Sequence, residues 1–189
     1  MILFINACVR KASRTKLLAD ALLETLGEPY EEVRLEDIEF PKVDEAFLNE
    51  RDRLIAAEEF SAPMFDLARQ FAEAERIVIA APYWDLSFPA ALKQYFELVN
   101  ALGVTFRYTP EGFPQGLCRA KELFYVATAG GSFTPEEFGY GYIKALANGF
   151  YGIEKTRLFM AKGLDIVGAD AEAILDECIK EIRALYTDR

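Results

Sequence analysis

Histidine is absent from all 189 residues. Its absence removes the commonest general base and the commonest protein ligand for metals. Ser-His-Asp and Cys-His catalysis within one chain go with it. A thiolate or a bound cofactor is then favoured as the carrier of any chemistry. Cysteine is scarce: Cys8, Cys118 and Cys178 are an odd number with no CxxC pair. That usage argues against a disulfide framework and a zinc site, and it points to a reducing compartment, the cytoplasm. Basic residues are outnumbered 21 to 31, for a net charge of −10. An acidic surface gives no support to nucleic acid as a partner. No apolar run is long enough to span a membrane. The opening MILFINACVRK has no charged n-region and no small-residue cleavage site, so it reads as a strand rather than a secretory signal.

What is present is apolar residues in quantity, 52% of the chain. They suffice for a large core, and the length suits one domain over residues 1–189. Continuous apolar runs at ILFINA, RIVIAAP and ELFYVAT suit strands buried on both faces. A short strand around Val33 and Leu35 and another at TRLFMAKGL complete five. Between them, apolar residues recur at helical spacing. TKLLADALLETL has Ser13 or Arg14 where a helix cap belongs and Gly27 as a stop. The spacing predicts further helices from Pro63, from Ser87 to Gly103, through EEFGYGYIKALANGFYG, and from about Ala169 to Tyr186. Residues 40–62 read as a long irregular acidic excursion. The alternation predicts an α/β fold of the flavodoxin-like type: a five-stranded parallel sheet of order 2-1-3-4-5 with helices on both faces.

In such sheets ligands bind beyond the carboxyl ends of the strands. Three loops lie there. The first, CVRKASRTK, holds four cations and no acid. It opens a helix, whose free N–H groups favour anions. Ser13 and Thr15 add hydroxyl donors, and Arg10 or Arg14 adds charge. The loop lacks glycine, which excludes a Walker A loop and a GxGxxG turn. The second loop, PYWDLSFP, places Tyr83, Trp84 and Leu86 where a planar ring would lie, with Asp85 and backbone amides at the ring's edge. The third, TAGGSF, has two adjacent glycines that let backbone approach a ligand closely.

The segment AAPYWDLSFPAALKQYFELVNALGVTFRYTPEGFPQGL, Ala80 to Leu117, resembles the middle of the FMN-dependent NADH azoreductases, part of the NAD(P)H:quinone oxidoreductase group. The family's Ser-x-Ser phosphate loop matches Ser13-Arg14-Thr15, and a preceding serine matches Cys8. Its Ser-Arg-Gly-Gly matches Thr128-Ala129-Gly130-Gly131. The resemblance implies FMN held by these residues together with Pro82, Tyr83, Trp84, Asp85 and Leu86. It further implies NADH or NADPH as donor and a ping-pong transfer of two electrons to a quinone, azo compound or similar small acceptor. No catalytic acid or base is implied, because the flavin carries the chemistry. A homodimer with the flavin at its interface is implied as well, with Phe106, Tyr108 and Phe133 shaping the acceptor pocket. The chain departs from the pattern where Tyr83-Trp84 stands for Met-Tyr, Asp85 for Asn, Leu86 for Phe and Ala129 for Arg.

Two other readings compete. Cys8, Arg14 and Thr15 form C-x5-R-T, the spacing of low-molecular-weight cysteine phosphatases, in which Cys8 would be the nucleophile. The loop lacks their Gly and Asn, however, and the chain has no Asp-Pro. A one-electron flavodoxin would suit the acidic surface, but its TxTGxT phosphate loop is missing.

Overall fold

Ile2–Asn6 forms strand β1 and is buried throughout. Its side chains alternate between two cores: Leu3 and Ile5 face one, Ile2 and Phe4 the other. This two-sided burial is why the run is continuously apolar. The same alternation holds in β3 (Arg76–Ala80) and β6 (Glu122–Thr128), where Ile77, Ile79, Leu123 and Tyr125 face the first core and Val78, Phe124 and Val126 the second. The edge strands β2 (Tyr30–Arg34) and β7 (Lys155–Ala161) are more open. This computed structural model describes residues 1–186, and residues 187–189 of the expected domain lie outside them. The five strands pair in parallel in the order β2-β1-β3-β6-β7, the 2-1-3-4-5 order of the expected flavodoxin-like sheet.

Helices α1 (Arg14–Leu26) and α6 (Ala171–Arg183) cover one face. Helices α3 (Asp66–Glu73), α4 (Ala90–Val99) and α5 (Tyr140–Leu146) cover the other. Helix α1 has the expected caps. The Ser13 side chain accepts from the Lys16 N–H at 3.2 Å, and Gly27 takes the left-handed conformation at φ 65°.

Three expectations need correcting. Residues 40–62 are not irregular: they contain helix α2 (Glu45–Ala56), started by Asp44, whose carboxylate accepts from the Phe47 N–H at 3.1 Å. Helix α4 is shorter than the predicted 87–103. Its N-cap is Pro89, because Ser87 is engaged in a turn with Trp84, and it ends at Asn100. An unpredicted antiparallel hairpin, β4 (Phe106–Tyr108) with β5 (Pro114–Gly116), lies between α4 and β6. It abuts the body at Gly116, where a Cβ would overlap the backbone of Tyr151 and Gly152.

Candidate functional site

The loops that follow β1, β3 and β6 converge at one end of the sheet, as the strand order requires. A cavity of about 290 Å³ opens there. Its first wall is the turn into α1, with Cys8, Ser13, Arg14 and Thr15. Helix geometry leaves the first backbone N–H groups without intrahelical partners. Among the described residues nothing accepts from the N–H of Arg14 or Thr15. These donors lie at the positive end of the helix dipole, in a loop whose Arg10 and Lys11 form no ion pair among the described residues. The floor is fixed by a buried bond between the Thr15 and Thr128 hydroxyls at 2.6 Å, which joins α1 to the end of β6.

The second wall is Pro82, Tyr83 and Trp84. The Tyr83 N–H donates to Thr128 O at 2.9 Å, and its hydroxyl donates to Pro135 O at 3.0 Å. Beyond it, Trp84 and Ser87 exchange backbone bonds of 2.9 and 2.8 Å across a two-residue turn. Asp85 and Leu86 occupy that turn with φ of 49° and 68°. Such turns ordinarily take Asn-Gly or Asp-Gly. A branched side chain at positive φ is strained, and strain of this kind concentrates at ligand sites.

The third wall is Thr128 and Gly130, with Asp165 from the loop after β7. That loop runs alongside residues 129–131: the N–H groups of Gly163, Leu164 and Asp165 donate to the carbonyls of Gly131, Ala129 and Gly130 at 2.9, 3.2 and 2.9 Å. Arg14 crosses the cavity to reach it, donating to Asp165 Oδ1 at 2.8 Å and Leu164 O at 3.3 Å.

Ten expected residues therefore meet in one cavity: Cys8, Arg10, Ser13, Arg14 and Thr15 on the first wall, Pro82, Tyr83 and Trp84 on the second, Thr128 and Gly130 on the third. Asp85 and Leu86 flank it on the exposed turn, outside the lining. Ala129 is buried in the β6–β7 link, and Gly131 faces open space. Phe106 is buried against Phe150, the rings stacked at 4.6 Å, with Tyr108 against its edge; neither lines the cavity. Phe133, 77% exposed, projects from the loop after Gly131. The sequence reading omitted Asp165. A fourth loop at the same sheet end was the signal that pointed there.

Cys8 is only 7% exposed. Burial pushes its thiol above the ordinary value, outweighing the Ser13 hydrogen bond and the Lys16 charge that pull it down. A thiol raised in this way is protonated at neutral pH and is a poor nucleophile. The cavity instead offers backbone donors at one end and aromatic and apolar side chains beside a glycine at the other. That donor set fits a phosphate joined to a planar ring, as in FMN.

Comparison with known proteins is consistent with this geometry. Residues 1–185 match a family described by its flavodoxin-like fold. The FMN-dependent NADH:quinone oxidoreductase of Clostridium beijerinckii is 34% identical over 185 residues, covering 94% of this chain and 92% of its own. Among solved structures, an azoreductase from Bacillus anthracis superposes with a TM-score of 0.85 at 24% identity, covering 100% of this chain and 99% of that one. An FMN-dependent NADH-azoreductase of the same species, solved in complex with FMN, gives 0.79 at 24% identity over 96% and 95%.

Proposed function

Because the chain belongs to the flavodoxin-like family matched over residues 1–185, we propose that it is an FMN-dependent NAD(P)H oxidoreductase acting on quinones, azo compounds or similar small acceptors. The observation that carries this reading is the single cavity joining a phosphate-type helix N-terminus to the Pro82–Trp84 wall. The N–H groups of Arg14 and Thr15 and the Ser13 hydroxyl hold the phosphate. The backbone of residues 82–84 and Gly130 borders the ring, and Trp84 shields it from water. When bound, FMN supplies the two-electron chemistry, taken from NADH or NADPH and delivered to the acceptor in ping-pong order. The protein needs no acid or base of its own for this, which agrees with a chain free of histidine. We further propose that it works as one domain in the cytoplasm, its three cysteines remaining thiols. We also propose that it is a homodimer covering the exposed Trp84, Leu86 and Phe138 beside the cavity. No helix of the described residues is long and apolar enough to cross a membrane.

Titrating flavin-free protein with FMN tests the reading. Quenched flavin fluorescence at one FMN per chain is expected, followed by NADH or NADPH oxidation with menadione. Absence of FMN uptake overturns the reading, and binding without donor oxidation favours a one-electron carrier. Sedimentation at twice the chain mass tests the dimer. The cysteine reading has its own check: Cys8 alkylation, followed by peptide mass, should rise with pH only above the range of an ordinary cysteine thiol, because burial raises it. A midpoint near neutrality, with hydrolysis of p-nitrophenyl phosphate, would restore the phosphatase.

A further inference from the structure

Arg14 stands at the first position of α1, where an anion would meet the free backbone N–H groups, yet its guanidinium is already committed to Asp165. The acid is held there by its surroundings. Its own N–H and those of Gly163 and Leu164 are bonded to the carbonyls of residues 129–131, which fixes the loop in register. Its carboxylate lies directly over Gly130, where a Cβ would overlap it. Gly130 therefore makes room for this acid as well as for a ligand. Both partners line the cavity and stay open to water, with side chains 37% and 66% exposed. An ion pair so exposed is weak and exchangeable. A phosphate monoester makes the same kind of charge-assisted bond to a guanidinium as a carboxylate does, and it brings the larger negative charge.

We propose that Asp165 is a built-in rival of the cofactor phosphate for Arg14, a specificity-determining residue that weakens phosphate binding and keeps the cofactor exchangeable. The proposal rests on the FMN reading. A phosphate dianion entering the cavity shares Arg14 with the carboxylate or displaces it, and the carboxylate's own charge repels it. Arg10 and Lys11, which form no ion pair among the described residues, supply the net attraction that remains. On this account Asp165 acts only on ligands that carry a phosphate. A residue that merely braced the loop would affect all flavins alike.

Asp165→Asn separates these roles, because the amide oxygen still accepts from Arg14 while the charge is gone. Full-chain variants are titrated with FMN and with riboflavin, and their thermal protection by inorganic phosphate is recorded. FMN should bind about fivefold more tightly to Asp165→Asn. Riboflavin affinity should stay within about twofold, and phosphate protection should increase. In an Arg14→Gln background the same change should have less than half the effect on FMN, since the rivalry acts through Arg14. Unchanged or weaker FMN binding, or equal tightening of riboflavin, overturns the proposal. If the wild type takes up no flavin, the functional reading fails. Phosphate protection then still decides the role of Asp165: a rise in Asp165→Asn sustains the rivalry, and no rise ends it.

Discussion

The two ends of the parallel sheet are built on opposite terms. At the amino end, the charges at the starts of β1, β3 and β6 are paired with one another or with a neighbour. Arg76 pairs with Glu28 and with Glu122, and the amino terminus pairs with Glu75. Backbone donors are taken up too, with the N–H groups of Arg119 and Lys121 bonded to Ala72 O and Glu75 O at 2.9 and 3.1 Å. At the carboxyl end Arg10 and Lys11 form no ion pair among the described residues, Arg14 and Thr15 keep free N–H groups, and two side-chain-bearing residues sit at positive φ. Trp84 and Phe133 face water there at 40% and 77% exposure. The same β-α units produce both ends, so the contrast comes from the residues placed in the turns. One end is free to be optimised for stability, and the other keeps donors and charges that no protein group among the described residues takes up.

The sharpest way to break this comparison is to weaken the quiet end. Phe71 is fully buried and packs on Tyr151 with ring centroids 4.7 Å apart. Phe71→Ala should lower unfolding free energy by about 3–5 kcal/mol in urea titrations and leave FMN affinity within twofold for the fraction that is folded. A parallel loss of affinity would show that the ends are not independent. At the other end, Ser13→Ala removes the α1 cap and, on the proposed function, one phosphate donor. It should lower stability by about 1 kcal/mol and weaken FMN roughly tenfold while riboflavin binding changes little.

Much of this architecture was legible in residue pattern, for physical reasons. Strands buried on both faces carry unbroken apolar runs, so β1, β3 and β6 announced themselves. Ser13 and Gly27 marked α1 because caps act through backbone geometry local to them. Helix α2 escaped because its apolar residues fall in two pairs, Phe47-Leu48 and Leu54-Ile55, split by the polar run NERDR, so the stripe is interrupted where it would be read. Asp165 escaped for a different reason. It is one acid among 31 acidic residues, and its partner Arg14 lies 151 positions away, so only the folded sheet brings them together. The turn at Asp85 and Leu86 was hidden because its sequence lacks the glycine that ordinarily signals positive φ.

Smaller effects sharpen the contrast further. Arg76→Gln should cost about 1 kcal/mol, the yield of two partly exposed pairs, and should leave flavin binding untouched. Leu86→Gly should do the reverse. Releasing a bulky residue from φ 68° should raise stability by about 0.5–1 kcal/mol while loosening the wall beside Trp84, read as weaker binding of both FMN and riboflavin. Destabilisation by Leu86→Gly would mean that the turn is relaxed, and the carboxyl end would lose part of its distinction.

The contact between Gly116 and the Tyr151–Gly152 backbone has a consequence for engineering. Two stretches of main chain, 35 residues apart in sequence, mate there like a tongue and its slot, with no side chain to take up error. A Cβ on Gly152 would come within 3.4 Å of Gly116 Cα, and one on Gly116 would overlap residues 151–152 outright. Residues 103–117 and 147–152 therefore form one interchangeable part. A chimera that imports the hairpin from a homologue should fold only when it imports the turn before β7 as well.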